Sequence, residues 1–248
     1  MPDRTIKIIQ FEDLISKQSI PALIKGEIHL WSISLDANTE LIEHCKLALT
    51  NSELNKIHFF KFPKIQNNYI ISQGILRHLL SYYLNIAPEK IQLGRHRKGK
   101  PLSLDESSLF FNMSNSGNLC VYAFSRDNEI GIDLECIRDL PDLDQLINKN
   151  FTENERLFIN KNKKERLKRF FLFWTIKESY LKAVGEGMRL TPDNLEFVIE
   201  NNTIKLISIK GIFEPEDWNF KNIHFSDKYL STLTFKGNQL RFVEIIIK

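Results

Sequence analysis

Short stretches in which apolar and polar residues alternate predict the β-strands of this chain. Residues 28–35 alternate in the manner of a half-buried strand. Residues 109–112 and 119–124 predict two further strands, joined by a small polar turn at 114–118. The same reasoning places the remaining strands at 130–136, 195–199, 204–209, 229–235 and 240–247. Strands are therefore expected in both halves of the chain.

Apolar residues that recur every three or four positions predict helices between these strands. In the first half, the pairs Asn38-Thr39 and Asn51-Ser52 offer caps for two successive helices. A longer helix is predicted at about 65–84, where apolar side chains recur at every fourth position: Ile71, Ile75, Leu79 and Tyr83. The first half thus has a strand, two short helices, a long helix and more strands.

The second half repeats this order. A short acidic helix is predicted at 143–148, and Thr152 with Glu155 forms the capping box of the next helix. A long helix follows at about 164–184 and ends at Gly185. This repetition predicts an α+β fold made of two similar α/β lobes.

The polar stretch 125–129 is the natural boundary between the two halves. We expect an N-terminal lobe over residues 1–126 and a C-terminal lobe over residues 127–248. Clefts between lobes are common ligand sites. A site built on the strand at 130–136 would lie beside this boundary.

Composition and charge argue against several classes of protein. The chain has 248 residues, of which 42% are hydrophobic, and a net charge of +3 that is too small for a general nucleic-acid binder. Its three cysteines, Cys45, Cys120 and Cys136, are too widely spaced for a zinc site or a disulfide framework. No stretch approaches the roughly 20 apolar residues of a membrane span, and residues 1–4 lack a signal-peptide pattern. We therefore expect a cytoplasmic protein without membrane or nucleic-acid partners.

Two acids, Asp133 and Glu135, stand two positions apart in an otherwise apolar strand, so their side chains point to the same face. One acid would be explained by an edge strand with a solvated face. Two acids on one face beside Gly131 are at least as well explained by a metal ion. Burial of unpaired charge is costly, and Mg²⁺ prefers hard oxygen ligands.

The segment 173–182 places Glu178 and Lys182 side by side on the long helix, four positions apart. The plain explanation is an exposed ion pair worth about 0.2–0.5 kcal/mol. A role in a site is the alternative, because the apolar stripe of the helix runs beside the pair, with Lys177 at its edge. If strand and helix meet, three carboxylates and a lysine meet as well, which is the composition of a magnesium site for a phosphorylated substrate.

Two other segments carry residue types that bind phosphate. The loop at 95–101 contains four cations, Arg95, Arg97, Lys98 and Lys100, in a turn shaped by glycine and proline. That shape favours a fixed anion site over a solvated basic run. The turn at 114–117 could direct hydroxyl and N–H groups at phosphate, although an ordinary turn explains it equally well.

Taken together, these segments resemble the 4′-phosphopantetheinyl transferase superfamily, in its larger, two-lobed branch of the surfactin-synthetase-activating type. Two motifs carry the resemblance in a specific order and spacing: G-I-D-x-E at 131–135 and W-x-x-K-E-S-x-x-K at 174–182. It covers most of the chain and also passes through Trp31, Lys56 to Phe62, Arg77, Gly99-Lys100-Pro101 and Phe111 to Ser114.

The resemblance implies a pseudo-two-fold monomer that holds coenzyme A between its lobes. Such an enzyme transfers the 4′-phosphopantetheine arm to a serine of an acyl or peptidyl carrier protein and releases adenosine 3′,5′-bisphosphate. By this resemblance Asp133, Glu135 and Glu178 are the Mg²⁺ ligands, and Glu178 and Lys182 are the catalytic residues. The implied coenzyme A contacts are Lys56, Arg95, Lys98, Lys100, Ser114, Asn115, Asp133 and Lys182.

Three questions stay open in the sequence. The base that activates the carrier serine is Glu178, directly or through a water, or else Glu153 or Glu155. Asn115 stands where the family usually has a histidine near the 3′-phosphate of coenzyme A, and an amide cannot carry charge. We therefore expect weak discrimination between coenzyme A and its dephospho form, which Asn115→His would sharpen. The surface at 137–164, with Phe151 and Phe158, is a guess for carrier docking.

Two alternative functions use the same features. A different magnesium-dependent phosphotransfer enzyme would need the same acids but no carrier serine. A non-catalytic protein that binds coenzyme A or a carrier domain would bind without turnover.

Overall fold

The computed structural model describes residues 4–18, 20–36, 39–95, 100–106, 108–185, 190–209, 218–237 and 240–248. Residues 96–99 and the side chain of Arg95 lie outside this description. The predicted contacts of Arg95 and Lys98 with coenzyme A therefore stay predictions.

The predicted helices and strands occur in the predicted order, but the sequence analysis missed a helix at 11–16 and strands at 4–9, 93–95, 101–103 and 218–222. The elements of the first half are β1 (Arg4–Ile9), α1 (Phe11–Ser16), β2 (Glu27–Ser34), α2 (Thr39–Leu47), α3 (Asn51–Ile57), α4 (Pro63–Leu84), β3 (Leu93–Arg95), β4 (Pro101–Ser103), β5 (Phe110–Ser116) and β6 (Leu119–Ser125). Those of the second half are β7 (Ile130–Cys136), α5 (Leu143–Asn150), α6 (Glu153–Asn160), α7 (Arg166–Val184), β8 (Leu195–Glu200), β9 (Thr203–Ile209), β10 (Trp218–Asn222), β11 (Tyr229–Lys236) and β12 (Arg241–Ile247).

Three local expectations were wrong. Residues 114–116 continue strand β5, and the turn lies at Gly117, whose positive φ of 58° suits a residue without a Cβ. The cap of α3 is Thr50, which accepts a hydrogen bond from the Glu53 amide, rather than Asn51 or Ser52. Strand β2 is buried on both faces except at Ser34, because α4 covers one face and the second sheet covers the other.

The strands of the described residues form a five-stranded sheet, a three-stranded sheet and two strand pairs. The orders of the two larger sheets are β1-β12-β2-β6-β5 and β10-β11-β7. Strand β12 lies parallel to both β1 and β2. The last strand of the chain thus belongs to the sheet of the first half, although the predicted boundary at residue 126 assigns it to the second. The division into two domains at that residue stays a prediction.

The two halves share one topology, which confirms the predicted α+β fold of two similar lobes. In each half an opening strand pairs antiparallel with the last strand of the repeat, as β2 does with β6 and β7 with β11. The penultimate strand, β5 or β10, completes the three-stranded unit. Strands β1 and β12 then extend the first sheet.

The repeat extends to a buried ion pair in the first half. Arg77 of α4 donates from Nε to Glu53 at 2.7 Å, and its Nη1 donates to the carbonyl groups of Pro88 and Ile91. Glu53 is also the third residue of the α3 capping box, with Thr50 as the cap. One ion pair thus joins the short helix, the long helix and the turn after it.

The second half contains the same arrangement with a lysine. Lys177 of α7 lies 2.6 Å from Glu155 and donates to the carbonyl groups of Pro192 and Leu195. Glu155 is the third residue of the α6 capping box, with Thr152 as the cap. The prediction that Lys177 lies at the edge of the apolar stripe is wrong, because its side chain is completely buried. Its burial is possible because each ammonium hydrogen has an oxygen partner.

In the described part of the chain, no helix combines the length and the apolar character needed to span a bilayer.

Candidate active site at the junction of β7 and α7

Strand β7 is buried between the first sheet and helix α7. Its residues Ile132 and Leu134 pack against Ile28 and Leu30 of β2. The alternate residues of the strand face α7, because successive side chains of a strand point to opposite sides. Asp133 on that side is only 5% exposed. β7 is the edge strand of its own sheet, but its acidic face is covered by α7. The alternative explanation, in which the acids of an edge strand face solvent, therefore does not hold.

Gly131 allows α7 to lie directly on β7. A Cβ atom at this position would come within 2.1 Å of the Ser179 carbonyl oxygen and 2.4 Å of the Ala183 amide nitrogen. Any larger residue would therefore push the helix away from the strand. Because of this close approach, the side chain of Lys182, one residue before Ala183, reaches Asp133. Asp133 is the next residue of β7 on the same face as Gly131. The glycine of the first motif thus places the lysine of the second.

Asp133, Lys182 and Ser114 form one hydrogen-bonded group. The ammonium of Lys182 donates to Asp133 Oδ1 at 2.7 Å and to Ser114 Oγ at 2.9 Å. Ser114 Oγ donates to the same carboxylate oxygen at 3.0 Å. The other oxygen, Asp133 Oδ2, is buried and has no hydrogen-bond partner among the residues that the structure describes. One oxygen of the acid is fully engaged, whereas the second is available to a ligand.

The acids of β7 and α7 lie close enough to perturb one another. Burial raises the pKa of Asp133, and the charge of Glu135 adds to this, although Lys182 and Ser114 oppose it. Burial also raises the pKa of Glu178, as do the charges of Asp133 and Glu135, whereas Lys182 opposes the rise. Three carboxylates and one lysine therefore share one electrostatic environment, as the two motifs predict.

Glu135 has its own pair of partners. Ser116 Oγ donates to Glu135 Oε2 at 2.9 Å, and Arg138 Nη1 donates to the same oxygen at 2.8 Å. The sequence analysis missed both residues. The contact of Arg138 with Glu135 could have been predicted from its position three residues after Glu135. The contact of Ser116 could have been predicted from its position two residues after Ser114, on the same face of the strand.

The acids do not form a finished metal site. Among the residues described, no three His, Cys, Asp or Glu side chains are arranged to hold a metal ion. The donor chemistry nevertheless fits a hard divalent cation, because three carboxylates interact here and Asp133 has a buried oxygen without a partner. The geometry therefore provides the ligand types of a magnesium site, with side-chain rotation needed to complete it.

Comparisons with known proteins match both halves. A family model described as the 4′-phosphopantetheinyl transferase superfamily covers residues 129–234, and a model for the N-terminal region of a 4′-phosphopantetheinyl transferase covers residues 36–127. The 4′-phosphopantetheinyl transferase HetI of Nostoc sp. is 32% identical over 223 residues, which span 80% of this chain and 94% of that protein. The chain belongs to the 4′-phosphopantetheinyl transferase superfamily.

Other relatives place this transferase in the larger branch, which confirms the resemblance. The 4′-phosphopantetheinyl transferase gsp of Aneurinibacillus migulanus is 32% identical over 64% of this chain and 68% of its own length. The L-aminoadipate-semialdehyde dehydrogenase-phosphopantetheinyl transferase of Xenopus laevis is 28% identical over 75% of this chain and 67% of its own length. The crystal structure of Thermotoga maritima holo-[acyl-carrier-protein] synthase aligns with 46% of this chain and 63% of that chain, at 18% identity and a TM-score of 0.36. The family assignment does not depend on this last likeness.

The described residues that are predicted to bind coenzyme A in this transferase lie in four places, one of which is the environment of Lys100. Ser114, Asp133 and Lys182 lie together in the hydrogen-bonded group. Lys56 is exposed on α3 and lines a cavity of about 590 Å³ that Met113 of β5 also lines. Asn115 is exposed on β5, the strand that also carries Ser114 and Met113.

Lys100 has a structural environment that the sequence did not indicate. Its ammonium donates to the carbonyl oxygens of Ile130 at 2.8 Å and Ala183 at 2.9 Å. Burial lowers its pKa to about 8, although Glu129 opposes the shift. The lysine thus ties the first half of the transferase to the start of β7 and the end of α7. Its contact with coenzyme A stays a prediction.

One candidate for the general base is excluded by its contacts. Glu155 is 1% exposed, and its carboxylate is occupied by Lys177, the Thr152 amide and the Phe197 amide. It cannot reach a substrate hydroxyl without breaking these bonds. Glu153 is exposed at the start of α6, and Glu178 lies beside Asp133.

The guess for carrier docking also needs correction. Phe151 is 3% exposed and packs edge-on against Phe170 and Phe173 in the core around α7. Phe158 is half-buried, and the Arg169 guanidinium lies over its ring. Phe151 is therefore a core residue and not a contact for a partner.

Proposed function

We propose that this transferase moves the 4′-phosphopantetheine arm of coenzyme A to a serine of an acyl or peptidyl carrier protein and releases adenosine 3′,5′-bisphosphate. The observation that carries this proposal is the cluster of Asp133, Glu178 and Lys182 at the junction of β7 and α7. Family membership supports the identity of the transferred group. The comparisons do not favour another phosphotransfer enzyme or a non-catalytic binding protein.

Magnesium is the proposed cofactor, with Asp133, Glu135 and Glu178 as its ligands. When bound, Mg²⁺ would neutralise charge on the pyrophosphate of coenzyme A. The support is the buried Oδ2 of Asp133, which has no partner among the described residues, and the raised pKa values of Asp133 and Glu178, to which burial and then the charge of Glu135 contribute.

Lys182 is proposed to stabilise the negative charge that develops as the phosphoanhydride breaks. Its ammonium is held by Asp133 and Ser114, and its side chain is 30% exposed. A cation fixed in place before the reaction stabilises a transition state without having to reorganise. Lys182 can thus meet both requirements, since it is fixed by the protein and accessible to a substrate.

Glu178 is proposed as the base that takes the proton of the carrier serine. A serine hydroxyl is a poor nucleophile alone and needs such a base. Burial and the charges of Asp133 and Glu135 raise the pKa of Glu178, which favours uptake of a proton, although a bound Mg²⁺ would oppose this rise. Glu155, another candidate for the base in the sequence analysis, is excluded because its carboxylate has a structural role.

The predictions about coenzyme A contacts, the carrier protein, the location and the oligomeric state belong to the same proposal. Coenzyme A is expected to contact Lys56 and Asn115 in addition to the acids and Lys182. A contact with Ser114 would require its hydroxyl to give up a hydrogen bond to Asp133, Leu134 or Lys182. The carrier is expected to be acidic and to dock on the surface at 137–164, where Leu157 is 67% exposed. A cytoplasmic protein without membrane or nucleic-acid partners is proposed from the small net charge and the three free cysteines. A monomer is proposed because each lobe already has its pseudo-symmetric partner within the chain.

One assay tests the proposal. The purified protein is incubated with coenzyme A, Mg²⁺ and an apo carrier protein, and the carrier is weighed by mass spectrometry. We expect a gain of one phosphopantetheine arm that EDTA abolishes and that Glu178→Gln abolishes at every magnesium concentration. Cleavage of coenzyme A without a carrier adduct, or binding without turnover, would overturn the transfer. Full rescue of Glu178→Gln by excess magnesium would reduce Glu178 to a metal ligand.

A further inference from the structure

Strand β5 contacts β7 through side chains instead of through a main-chain ladder. Three side chains of β5, two positions apart, accept hydrogen bonds from three main-chain amides of β7, also two positions apart. The pairs are Asn112 with Ile132 (2.9 Å), Ser114 with Leu134 (3.3 Å) and Ser116 with Cys136 (3.0 Å). The unpaired edge of the acidic strand is therefore capped by polar side chains of the other lobe.

The two serines also bind the two acids of β7, in the same way. Ser114 donates its hydroxyl hydrogen to Asp133 Oδ1 at 3.0 Å. Ser116 donates its hydroxyl hydrogen to Glu135 Oε2 at 2.9 Å. Each serine thus donates a hydrogen bond to one acid and accepts a hydrogen bond from the main-chain amide of the residue that follows that acid. Because β5 and β7 both repeat every two residues, one geometry serves both acids.

The hydroxyl of Ser114 has no hydrogen left for a phosphate. A serine hydroxyl has one hydrogen to donate and two lone pairs to accept with. Ser114 donates to Asp133 and accepts from the Leu134 amide and the Lys182 ammonium. The role implied by the family resemblance, a phosphate contact, would require one of these bonds to break. The bonds in place instead orient the acid.

We propose that Ser116 is a positioning residue that holds Glu135 in the orientation needed to bind the divalent cation, as Ser114 holds Asp133. This inference rests on the proposed function, because it assigns Glu135 to the metal. Without Ser116, the hydrogen-bond partner that Glu135 Oε2 would keep in the described part of the chain is Arg138, whose side chain is 53% exposed. An exposed arginine restrains a carboxylate weakly, because solvent screens the pair and the long side chain keeps much of its freedom.

Asn112 provides a matched control within the same set of bonds. Its Oδ1 accepts from the Ile132 amide, as Ser116 Oγ accepts from the Cys136 amide. Residue 132 has no carboxylate, so Asn112→Ala removes a bond between the strands without removing a bond to an acid. Ser116→Ala removes both. A role in the strand contact alone would therefore affect the two variants alike.

The test measures binding of Mn²⁺, a paramagnetic substitute for Mg²⁺, to the full-length protein by electron paramagnetic resonance. We expect Ser116→Ala to raise the Kd for Mn²⁺ by about 10–100-fold, which is typical for loss of a residue that orients a metal ligand. Asn112→Ala should lower the unfolding temperature but leave the Kd within about 2-fold of wild type. Ser116→Thr, which keeps a hydroxyl and suits a strand, should restore the affinity.

A second measurement uses the carrier assay with increasing Mg²⁺. Ser116→Ala should need about 10–100-fold more magnesium for half-maximal transfer, with a rate at saturating magnesium close to that of wild type. Equal Mn²⁺ affinity in Ser116→Ala and wild type, or an equal loss in Asn112→Ala, would overturn the positioning role.

The two proposals can fail separately. Wild type that binds Mn²⁺ in a Ser116-dependent way but does not modify a carrier would keep this inference and overturn the proposed function. Wild type that modifies the carrier while Ser116→Ala keeps normal Mn²⁺ affinity would do the reverse.

Discussion

The two lobes use one scaffold to hold different kinds of side chain. In the N-terminal lobe, the space between β2 and α4 is filled by Trp31 and Tyr83, and the indole Nε1 donates to the tyrosine Oη at 2.8 Å. In the C-terminal lobe, the space between β7 and α7 holds Asp133 and Lys182, 2.7 Å apart. The first arrangement buries aromatic surface and stabilises the fold. The second buries a carboxylate with an oxygen that has no partner among the described residues, which costs stability.

The residue after each buried cation shows the same contrast. His78 follows Arg77 in α4, and Glu178 follows Lys177 in α7. Burial lowers the pKa of His78 to about 4, so this imidazole is neutral at physiological pH. Burial raises the pKa of Glu178, where two further acids surround it. The three acids and Lys182 thus belong to one copy of the repeat, and the other copy supplies packing and the strand that caps β7.

The largest effect is expected at the buried ion pairs that the lobes share. Glu155→Gln should lower the free energy of unfolding by about 3–5 kcal/mol, because it leaves the completely buried Lys177 without a counter-charge. Glu53→Gln should cost about 1–3 kcal/mol, because the Glu53 side chain keeps 12% of its exposure to water. Urea unfolding of both variants measures the difference.

Glutamine keeps the shape of the side chain and can still complete a capping box, so the two substitutions isolate the charge. A larger loss for Glu53→Gln than for Glu155→Gln would show that depth of burial does not rank the pairs.

The next effect concerns the two glycines that allow close helix packing. A Cβ at Gly74 would lie 2.5 Å from Cys45 Cβ of α2, and one at Gly131 would lie 2.1 Å from the Ser179 carbonyl oxygen. Each alanine variant should lose about 1–3 kcal/mol of stability. Only Gly131→Ala should also slow transfer, by about 100-fold, because a shift of about 1 Å in α7 misplaces Lys182 and Glu178.

Thermal unfolding and the carrier assay, run at a temperature where both variants are folded, separate these effects. Equal rates per folded molecule in the two variants would mean that the approach of α7 to β7 is structural only.

The last effect is a pH dependence of the two hydrogen bonds that Lys100 makes between the lobes. Burial lowers its pKa to about 8 from an ordinary value of 10.5. Between these values the unfolded chain binds the proton and the folded chain does not, so the contribution of Lys100 to stability rises with pH over this window. A neutral amine still has two hydrogens for the carbonyl groups of Ile130 and Ala183.

Unfolding free energies of wild type and Lys100→Met at several pH values test this point. The difference between the two proteins should move in favour of wild type as pH rises from about 8 to 10.5. A constant difference would mean that Lys100 stays charged in the folded protein throughout.

The sequence by itself determined most of the elements and several local relations between residues, although β1, α1, β3, β4 and β10 were missed. The alternation in β7 put Asp133 and Glu135 on one face, and the spacing in α7 put Glu178 and Lys182 on one side, because main-chain geometry alone sets these periods. The capping box of Thr152 with Glu155 was readable for the same reason.

Only the tertiary structure decided which partners these residues have. The fold pairs Lys182 with Asp133 and buries Glu155 against Lys177. It also extends β5 through Ser116, so that the serines of this strand reach both acids of β7. Strand β12 joined the first sheet across the whole length of the chain. Burial and pairing depend on segments far apart in sequence, and no local period encodes which of two glutamates faces water and which faces a lysine.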